Sequence, residues 1–185
     1  PNVAALLEEE VGEFVPQEVT LKRADIMATV TYEPIVRPLN AYVAGHLDLV
    51  DVAHRRPNSD YNYWNPDYVI RLNKANGGTK YLILDAKYST ESVVRSTHLP
   101  DVIEKYFWGM SVHNADTKTY SNDPIAAVLV IYPLGVNNTF IRHGKRTSIG
   151  TSPFPLPIVG ATGLTIDVDH AFNRVMTLVV DATCA

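Results

Sequence analysis

Several features that define common protein classes are missing from this chain of 185 residues. Its single cysteine, Cys184, cannot form an internal disulfide or a thiolate zinc cluster, which favours a reducing compartment, and we expect the cytoplasm. No run approaches the roughly 18 consecutive apolar residues of a membrane-spanning helix, so we expect no membrane partner. A phosphate-binding glycine loop and a Gly-x-Ser-x-Gly motif are also missing from the sequence, which disfavours nucleotide hydrolysis and serine hydrolase chemistry.

Basic residues are too few to give the chain a positive charge. Lys and Arg number 16 against 20 Asp and Glu, a formal net charge of −4, which counts against nucleic-acid binding through bulk electrostatics. The length and the 46% share of hydrophobic residues predict one globular domain over residues 1–185. Because the chain begins at Pro1 and not at a methionine, we expect a piece of a longer protein, with partner domains that supply further contacts.

The hydrophobic pattern predicts an α/β protein. Two alternating segments, Pro66–Leu72 and Lys80–Lys87, are joined by a turn rich in Asn and Gly and are typical of a β-hairpin. The continuous apolar run Ile125–Tyr132 predicts a central strand that is covered on both faces. The other predicted elements are an amphipathic helix at Val3–Phe14, a strand at Tyr42–Val52, a loop at Arg55–Asn65, a helix at Leu99–Val112, an irregular segment at Pro133–Gly163 and a helix at Asp169–Val180.

Charged side chains meet at one end of the predicted hairpin. Asp85 and Lys87 lie two positions apart on one strand and therefore share a face. Folding the hairpin about Asn76 sets Asp67 opposite Asp85. Two carboxylates in that relation repel each other unless a cation lies between them. The same register pairs Val69 with Ile83 and Arg71 with Tyr81.

This arrangement predicts a divalent metal site. Mg²⁺ prefers oxygen ligands and is usually bound by one or two carboxylates, with water and phosphate oxygens as further ligands. We expect Asp67 and Asp85 to bind Mg²⁺, for which Mn²⁺ can substitute. A lysine beside such an ion can orient the attacking water and offset charge on the phosphoryl oxygens, which makes Lys87 the third catalytic candidate. A purely structural ion pair between Lys87 and one aspartate is the alternative.

Pro66-Asp67 followed by Asp85-Ala86-Lys87 at the end of an apolar strand resembles the signature of the PD-(D/E)xK nuclease superfamily. Within it, the run YLILDAKY at residues 81–88 is similar to the nuclease subunits of McrC-type restriction systems. The resemblance implies a restriction-endonuclease-like fold, a mixed central β-sheet flanked by helices. It also implies Mg²⁺-dependent DNA cleavage in a restriction or phage-defence system, a metal ligand at the main-chain carbonyl of Ala86, and a separate recognition or NTP-driven motor module as partner.

Two alternatives stay open at the first acidic position. Gly45-His46-Leu47-Asp48 resembles the Gly-x-x-Asp segment of RecB-type nucleases, so Asp48 competes with Asp67, although only Asp67 belongs to the hairpin. A first-helix glutamate is often a metal ligand in this superfamily, whereas a solvated helix face is the other interpretation of these acids. At the level of function, the alternative is a catalytically inactive domain of the same fold that serves as a nucleic-acid-binding or assembly module. The glutamates concerned are Glu8, Glu9, Glu10 and Glu13.

Other residues offer weaker signals. Arg142, Lys145 and Arg146 form a basic cluster that either contacts DNA phosphates or is merely solvated. Trp64 either stacks on a base or packs at the edge of the core. The six histidines show no zinc-ligand spacing, and His98 is the one of interest.

Overall fold

The computed structural model describes residues 17–23, 26–41, 47–53, 63–75, 77–133, 139–142, 145–148, 157–164, 176–177 and 180–181. These residues form a mixed α/β structure in which most regular elements are strands. The strands are β1 (Glu18–Arg23), β2 (Ile26–Tyr32), β3 (Leu49–Asp51), β4 (Tyr68–Lys74), β5 (Thr79–Ala86), β6 (Met110–Asn114), β7 (Thr119–Ser121), β8 (Ile125–Pro133), β9 (Thr139–Arg142), β10 (Lys145–Ser148) and β11 (Ile158–Leu164).

One long helix, α1, covers residues 91–108 between β5 and β6. Pro100 lies inside it, where a proline lacks an N–H and its ring conflicts with the carbonyl four residues earlier. A wider π-helical turn precedes this point and lets the helix continue. The helix ends at Gly109, where a Cβ would collide with the carbonyl of Lys105. Its turns are α-helical at Glu91–Val93 and Leu99–Val102 and π-helical at Val94–His98 and Ile103–Trp108, and a separate 3-10 turn covers Leu39–Ala41.

The described strands form a sheet of eight in the order β1-β2-β4-β5-β8-β11-β9-β10 and a sheet of three in the order β3-β6-β7. The pairs β5–β8 and β8–β11 are parallel, whereas β1, β2, β4 and β5 form an antiparallel meander. β8 is therefore a central strand, and residues 125–132 are buried throughout, which confirms the prediction for the run Ile125–Tyr132.

The register of the β4–β5 hairpin agrees with the sequence pattern. Val69 pairs with Ile83 and Arg71 with Tyr81, as predicted. At the turn, Gly77 has φ +91°, a conformation that glycine adopts without the strain imposed on other residues. The ladder is continuous from the turn to the opposite end of both strands, where the candidate acidic residues lie.

Apolar side chains cover both faces of the large sheet. On the face called here the α1 face, side chains of β4, β5 and β8 pack against α1 and the small sheet. The opposite face packs partly against Met176 and Val180, which are helical as predicted for the C-terminal segment. Buried residues on the α1 face include Val69, Tyr81, Ile83, Val94, Leu99, Val102, Tyr106, Met110, Val128 and Val130.

Two predictions of element boundaries are wrong. The predicted helix Leu99–Val112 begins earlier and ends earlier, since Met110–Asn114 is a strand. The segment Pro133–Gly163 contains the described strands β9 and β10 and most of β11, although it lacks periodicity in the sequence. Of the predicted strand Tyr42–Val52, residues 47–52 are described, and Leu49–Asp51 among them form β3.

Helix Val3–Phe14 and most of the loop Arg55–Asn65 lie outside the described residues. Within the described parts of the chain, no helix combines the length and apolar character needed to cross a lipid bilayer.

Candidate active site at the end of strands β4 and β5

Asp85 is a buried carboxylate near the end of β5. Its exposed fraction is 3%, and it points to the α1 face together with Tyr81 and Ile83. Its Oδ1 accepts a hydrogen bond from the hydroxyl of Tyr106 at 3.2 Å. Its Oδ2 is buried and lies 2.5 Å from the ammonium nitrogen of Lys87, in an ionic contact.

The hairpin register brings Asp67 beside Asp85. Asp67 occupies the bend just before β4, one position beyond the last pair of the β4–β5 ladder. Its Oδ2 accepts a hydrogen bond of 2.5 Å from the backbone N–H of Ala86. Its own carbonyl accepts a hydrogen bond of 2.8 Å from the N–H of Glu33, the residue that follows β2. The Asp67 carboxylate is thereby held at the end of β5.

The main-chain carbonyl of Ala86 faces the same edge as Asp67. Along a strand, the backbone groups of successive residues point to alternate neighbours. The N–H of Lys87 donates to the carbonyl of Ile131 on β8 at 2.8 Å, so the backbone groups of Ala86 point away from β8 and towards Asp67. The structure therefore brings together Asp67, Asp85, Ala86 and Lys87.

The electrostatics of the site disfavour a charged Asp85. Burial raises the pKa of the Asp85 carboxyl, the contact with Lys87 opposes this rise, and the nearby charge of Asp67 adds to it. The hydrogen bond from Tyr106 also acts to lower the pKa of Asp85, but burial prevails. A cation bound beside Asp67 and Asp85 would stabilise the ionised form of Asp85.

Tyr106 is a member of the site that the sequence did not reveal as such. It extends from α1, is almost fully buried, and packs edge-on against Trp64 with ring centroids 6.4 Å apart. Burial raises the pKa of its hydroxyl, followed by the effect of Asp85, so this hydroxyl stays protonated and remains a donor. It also lies 3.4 Å from the carbonyl oxygen of Asn65. Trp64 takes the packed position at the edge of the core.

Asp48 contacts Tyr81 on the α1 face. Its Oδ2 accepts a hydrogen bond of 3.3 Å from the hydroxyl of Tyr81, four residues before Asp85 on β5. Burial, and then the charge of Asp48, raises the pKa of that hydroxyl. Among the causes that shift the pKa of Asp85, the charge of Asp67 acts to raise it.

The remaining candidates are partly outside the described residues. The glutamates of the first helix lie outside. The backbone of the basic cluster forms the β9–β10 hairpin, in which Lys145 pairs with Arg142 and Arg146 with Ile141. His98 contacts Ser89, with 3.0 Å between Nε2 and Oγ, and so anchors the segment that follows Lys87.

The site fits the oxygen ligands that Mg²⁺ prefers. Asp67, Asp85 and the carbonyl of Ala86 present oxygen atoms at one edge, and the buried Oδ2 of Asp85 has a cation as its close contact. Among the described residues there is no group of three or more His, Cys, Asp and Glu side chains that could hold a metal ion. A Mg²⁺ ion bound by two carboxylates commonly completes its shell with water and phosphate oxygens.

Comparisons of the chain with models of protein families, with curated proteins and with solved structures find no match. Any functional conclusion therefore depends on the geometry around Asp67, Asp85 and Lys87.

Proposed function

We propose that this chain is a Mg²⁺-dependent nuclease domain with a restriction-endonuclease-like fold. The observation that carries the proposal is the cluster of Asp67, Asp85 and Lys87, with the Lys87 ammonium 2.5 Å from a buried Asp85 oxygen. The mixed sheet with α1 on one face is compatible with the proposed fold. Placing charged groups at the end of a buried strand is costly unless they are paired or used, and two acids with one lysine leave the site unbalanced in charge.

Each residue of the site has a separate role in the proposed reaction. When bound, Mg²⁺ supplies Lewis-acid stabilisation of a phosphate and a bound water of lowered pKa. Asp67, Asp85 and the Ala86 carbonyl hold the ion. The Lys87 ammonium, part of which is exposed, orients the attacking water and offsets negative charge on the phosphoryl oxygens. Tyr106 keeps Asp85 in place through its hydrogen bond to Oδ1.

DNA is the proposed substrate, and a restriction or phage-defence system the proposed setting. The net charge of −4 gives the chain little general attraction for DNA, so a separate recognition or motor module is proposed to deliver the substrate. The β9–β10 hairpin, with Arg142, Lys145 and Arg146 in its strands, is proposed to contact phosphates.

A catalytically inactive module of the same fold is the second candidate. The observation that favours it is the Lys87–Asp85 ion pair itself, since such a contact can serve a structural role without any metal.

Nicking of supercoiled plasmid with and without Mg²⁺ separates these two functions. We expect Mg²⁺-dependent nicking by the wild type, a rise in its melting temperature with millimolar Mn²⁺, and loss of both in Asp85→Ala. Asp116→Asn, at an exposed turn between β6 and β7, is the control and should behave as the wild type. A wild type that neither nicks DNA nor responds to metal refutes the nuclease proposal and favours the inactive module.

A further inference from the structure

Strand β1 forms one edge of the large sheet. Among the described strands it pairs with β2 alone. The side chains of Glu18, Thr20, Leu21 and Lys22 on this strand are exposed. An edge strand presents a row of N–H and C=O groups that can pair with a further strand, unless the protein protects that edge. The outer edge of β1 is therefore a candidate interaction surface.

The hydrogen bonds to β2 show which residues of β1 direct their backbone outward. The N–H of Tyr32 at the end of β2 donates to the carbonyl of Gln17 at 2.9 Å. Backbone groups of successive residues point to alternate sides of a strand, so every second residue counted from Gln17 bonds to β2. The residues between them direct their N–H and C=O groups to the outer edge, and these are Glu18, Thr20 and Lys22.

The side chains along β1 form a symmetric pattern. The ladder aligns Thr20 with residues of the α1 face on β5, and Glu18 and Lys22, two positions to either side, share that face. Val19 and Leu21 lie on the opposite face. The order along the strand is thus acidic, apolar, hydroxyl, apolar and basic, with Thr20 at the centre.

We propose that β1 pairs antiparallel with β1 of a second copy of this chain, about a two-fold axis at Thr20. In this register Thr20 lies opposite Thr20 of the second copy, and Glu18 lies opposite its Lys22. On the other face, Val19 lies opposite Leu21 of the second copy. Opposite-charge pairs and Thr–Thr pairs directly across an antiparallel ladder are favourable, and the apolar pair removes surface from water. The register also joins outward-directed residues only to one another, as the hydrogen-bonded ladder requires.

Charges on an edge strand often prevent pairing, but those on β1 specify it. They prevent pairing when an incoming strand leaves them unmatched or beside a like charge. The two-fold axis instead places Glu18 against Lys22 on both sides of the centre. Shifting the second copy by two residues would place Lys22 opposite Thr20 and remove both charge pairs, so the charges select one register. The inference does not depend on the proposed nuclease function, because it uses no residue of that site.

Disulfide trapping tests the register, in a Cys184→Ser background that removes the chain's own cysteine. The Cα atoms of a hydrogen-bonded antiparallel pair are about 5.5 Å apart, a separation that a disulfide spans. Thr20→Cys should therefore form a covalent dimer across the axis. Leu21→Cys, the next residue and also exposed, is the matched control, because its two copies would lie about 8 Å apart, beyond the reach of a disulfide. We expect Thr20→Cys to cross-link about 10-fold faster or more.

Charge complementation tests whether the partner is a second copy. Glu18→Lys alone and Lys22→Glu alone each place like charges opposite one another, so each should raise the dimer Kd by about 10-fold or more. Mixing these two variants restores opposite charges across the axis, so the mixed dimer should form in preference to either homodimer. Sedimentation velocity over a range of concentrations measures Kd, and tags of different size on Thr20→Cys versions identify the mixed cross-link.

The outcomes that overturn the pairing are specific. Circular dichroism and melting curves first establish that each variant is folded. Equal cross-linking through Thr20→Cys and Leu21→Cys overturns the proposed register. A mixture of Glu18→Lys and Lys22→Glu that cross-links no better than either variant alone overturns the pairing of two copies, in favour of another protein or another segment of this chain at the same edge. A wild type that remains monomeric up to about 1 mM also overturns it.

Discussion

The ammonium nitrogen of Lys87 lies 2.5 Å from Oδ2 of Asp85, and both side chains extend to the α1 face at the end of β5. The exposed fraction of the Lys87 side chain is 30%, whereas the Asp85 side chain is almost fully buried. Removing the lysine therefore leaves a buried carboxylate next to Asp67, whereas removing the carboxylate leaves a lysine that can turn to water. The two substitutions should have different consequences.

Lys87→Ala should abolish cutting but keep metal binding. It removes the group that orients the water and leaves both carboxylates in place, so we expect a loss of nicking rate of about 100-fold or more. Mn²⁺ affinity should stay the same or increase, because a competing cation is gone. The measurements are Mn²⁺ titration, melting temperature and nicking rate on the same variant, with Lys22→Ala on β1 as a control. A folded variant that binds metal and cuts at the wild-type rate would remove Lys87 from the mechanism.

Asp67→Ala should abolish Mg²⁺-dependent nicking, whereas Asp48→Ala should retain it. The reason is position: Asp67 bonds to the N–H of Ala86, while Asp48 bonds to the Tyr81 hydroxyl. Both variants should fold, which circular dichroism can check. The reverse pattern, with activity in Asp67→Ala and none in Asp48→Ala, would make Asp48 the first metal ligand.

Tyr106→Phe should lower Mn²⁺ affinity or nicking rate by about 10- to 100-fold, the usual effect of losing a group that orients a metal ligand. The ring that packs on Trp64 is kept, so the loss of stability in metal-free buffer should be limited to that of one buried hydrogen bond, about 1–3 kcal/mol. Tyr120→Phe removes a hydroxyl from an exposed ring on β7 and is the matched control. Wild-type metal affinity and rate in Tyr106→Phe would show that the hydrogen bond to Asp85 is incidental.

Asp85→Asn should stabilise the metal-free protein at neutral pH. Because burial raises the pKa of Asp85 in the fold, the stability linked to its protonated form is present below the ordinary carboxyl pKa of about 3.9 and is lost as pH rises through the raised value. The asparagine stays neutral and keeps a partner for the Tyr106 hydroxyl. We expect a gain of about 1 kcal/mol at pH 7, or roughly 2–4 °C in melting temperature.

The gain in Asp85→Asn should shrink as pH falls towards 4, because the wild-type carboxyl then becomes neutral as well. Melting curves of both proteins in EDTA over this range measure the difference. An asparagine variant that is less stable than the wild type at pH 7 would mean that the ion pair with Lys87 outweighs the cost of burying the charge.

Replacing Arg142, Lys145 and Arg146 together by glutamine should weaken DNA binding evenly across sequences. If each residue neutralises one phosphate, the slope of log affinity against log salt should fall by about 0.9 for each residue replaced on duplex DNA. Fluorescence anisotropy at several salt concentrations measures both quantities. Unchanged affinity and an unchanged salt slope would show that these three residues do not contact DNA.

The hairpin and the central strand could be predicted from the sequence because their signals are local. Alternation in β4 and β5 and the glycine turn determine which residues face each other, and eight consecutive apolar residues identify β8. The position of Asp67 beside Asp85, one step beyond the last pair of the ladder, follows from the same count of residues.

The elements that were missed depend on contacts distant in sequence. β11 contains Gly160 and Gly163 and acquires its strand structure by pairing in parallel with β8. The first turns of α1 have one buried residue, Val94, among residues 91–98, so they show no apolar periodicity. The spacing of Tyr106 in the helix predicts a core residue, and Tyr106 is buried. Its hydrogen bond to Asp85 joins residues 21 positions apart, so no local sequence pattern could predict it.

The β4–β5 turn controls the separation of the two acids even though it lies at the opposite end of the hairpin. The register is continuous from the pair Asn73–Thr79 to the pair Tyr68–Leu84. The position of the turn at Gly77 therefore determines which residues face each other at the far end of the hairpin. A turn lengthened by one residue would shift the pairing by one and turn Asp67 to the face away from Asp85. A turn lengthened by two would preserve the face but displace the carboxylates along the strand. The relative placement of Asp67 and Asp85 thus depends on whether the turn at the other end of the hairpin has an odd or an even number of residues.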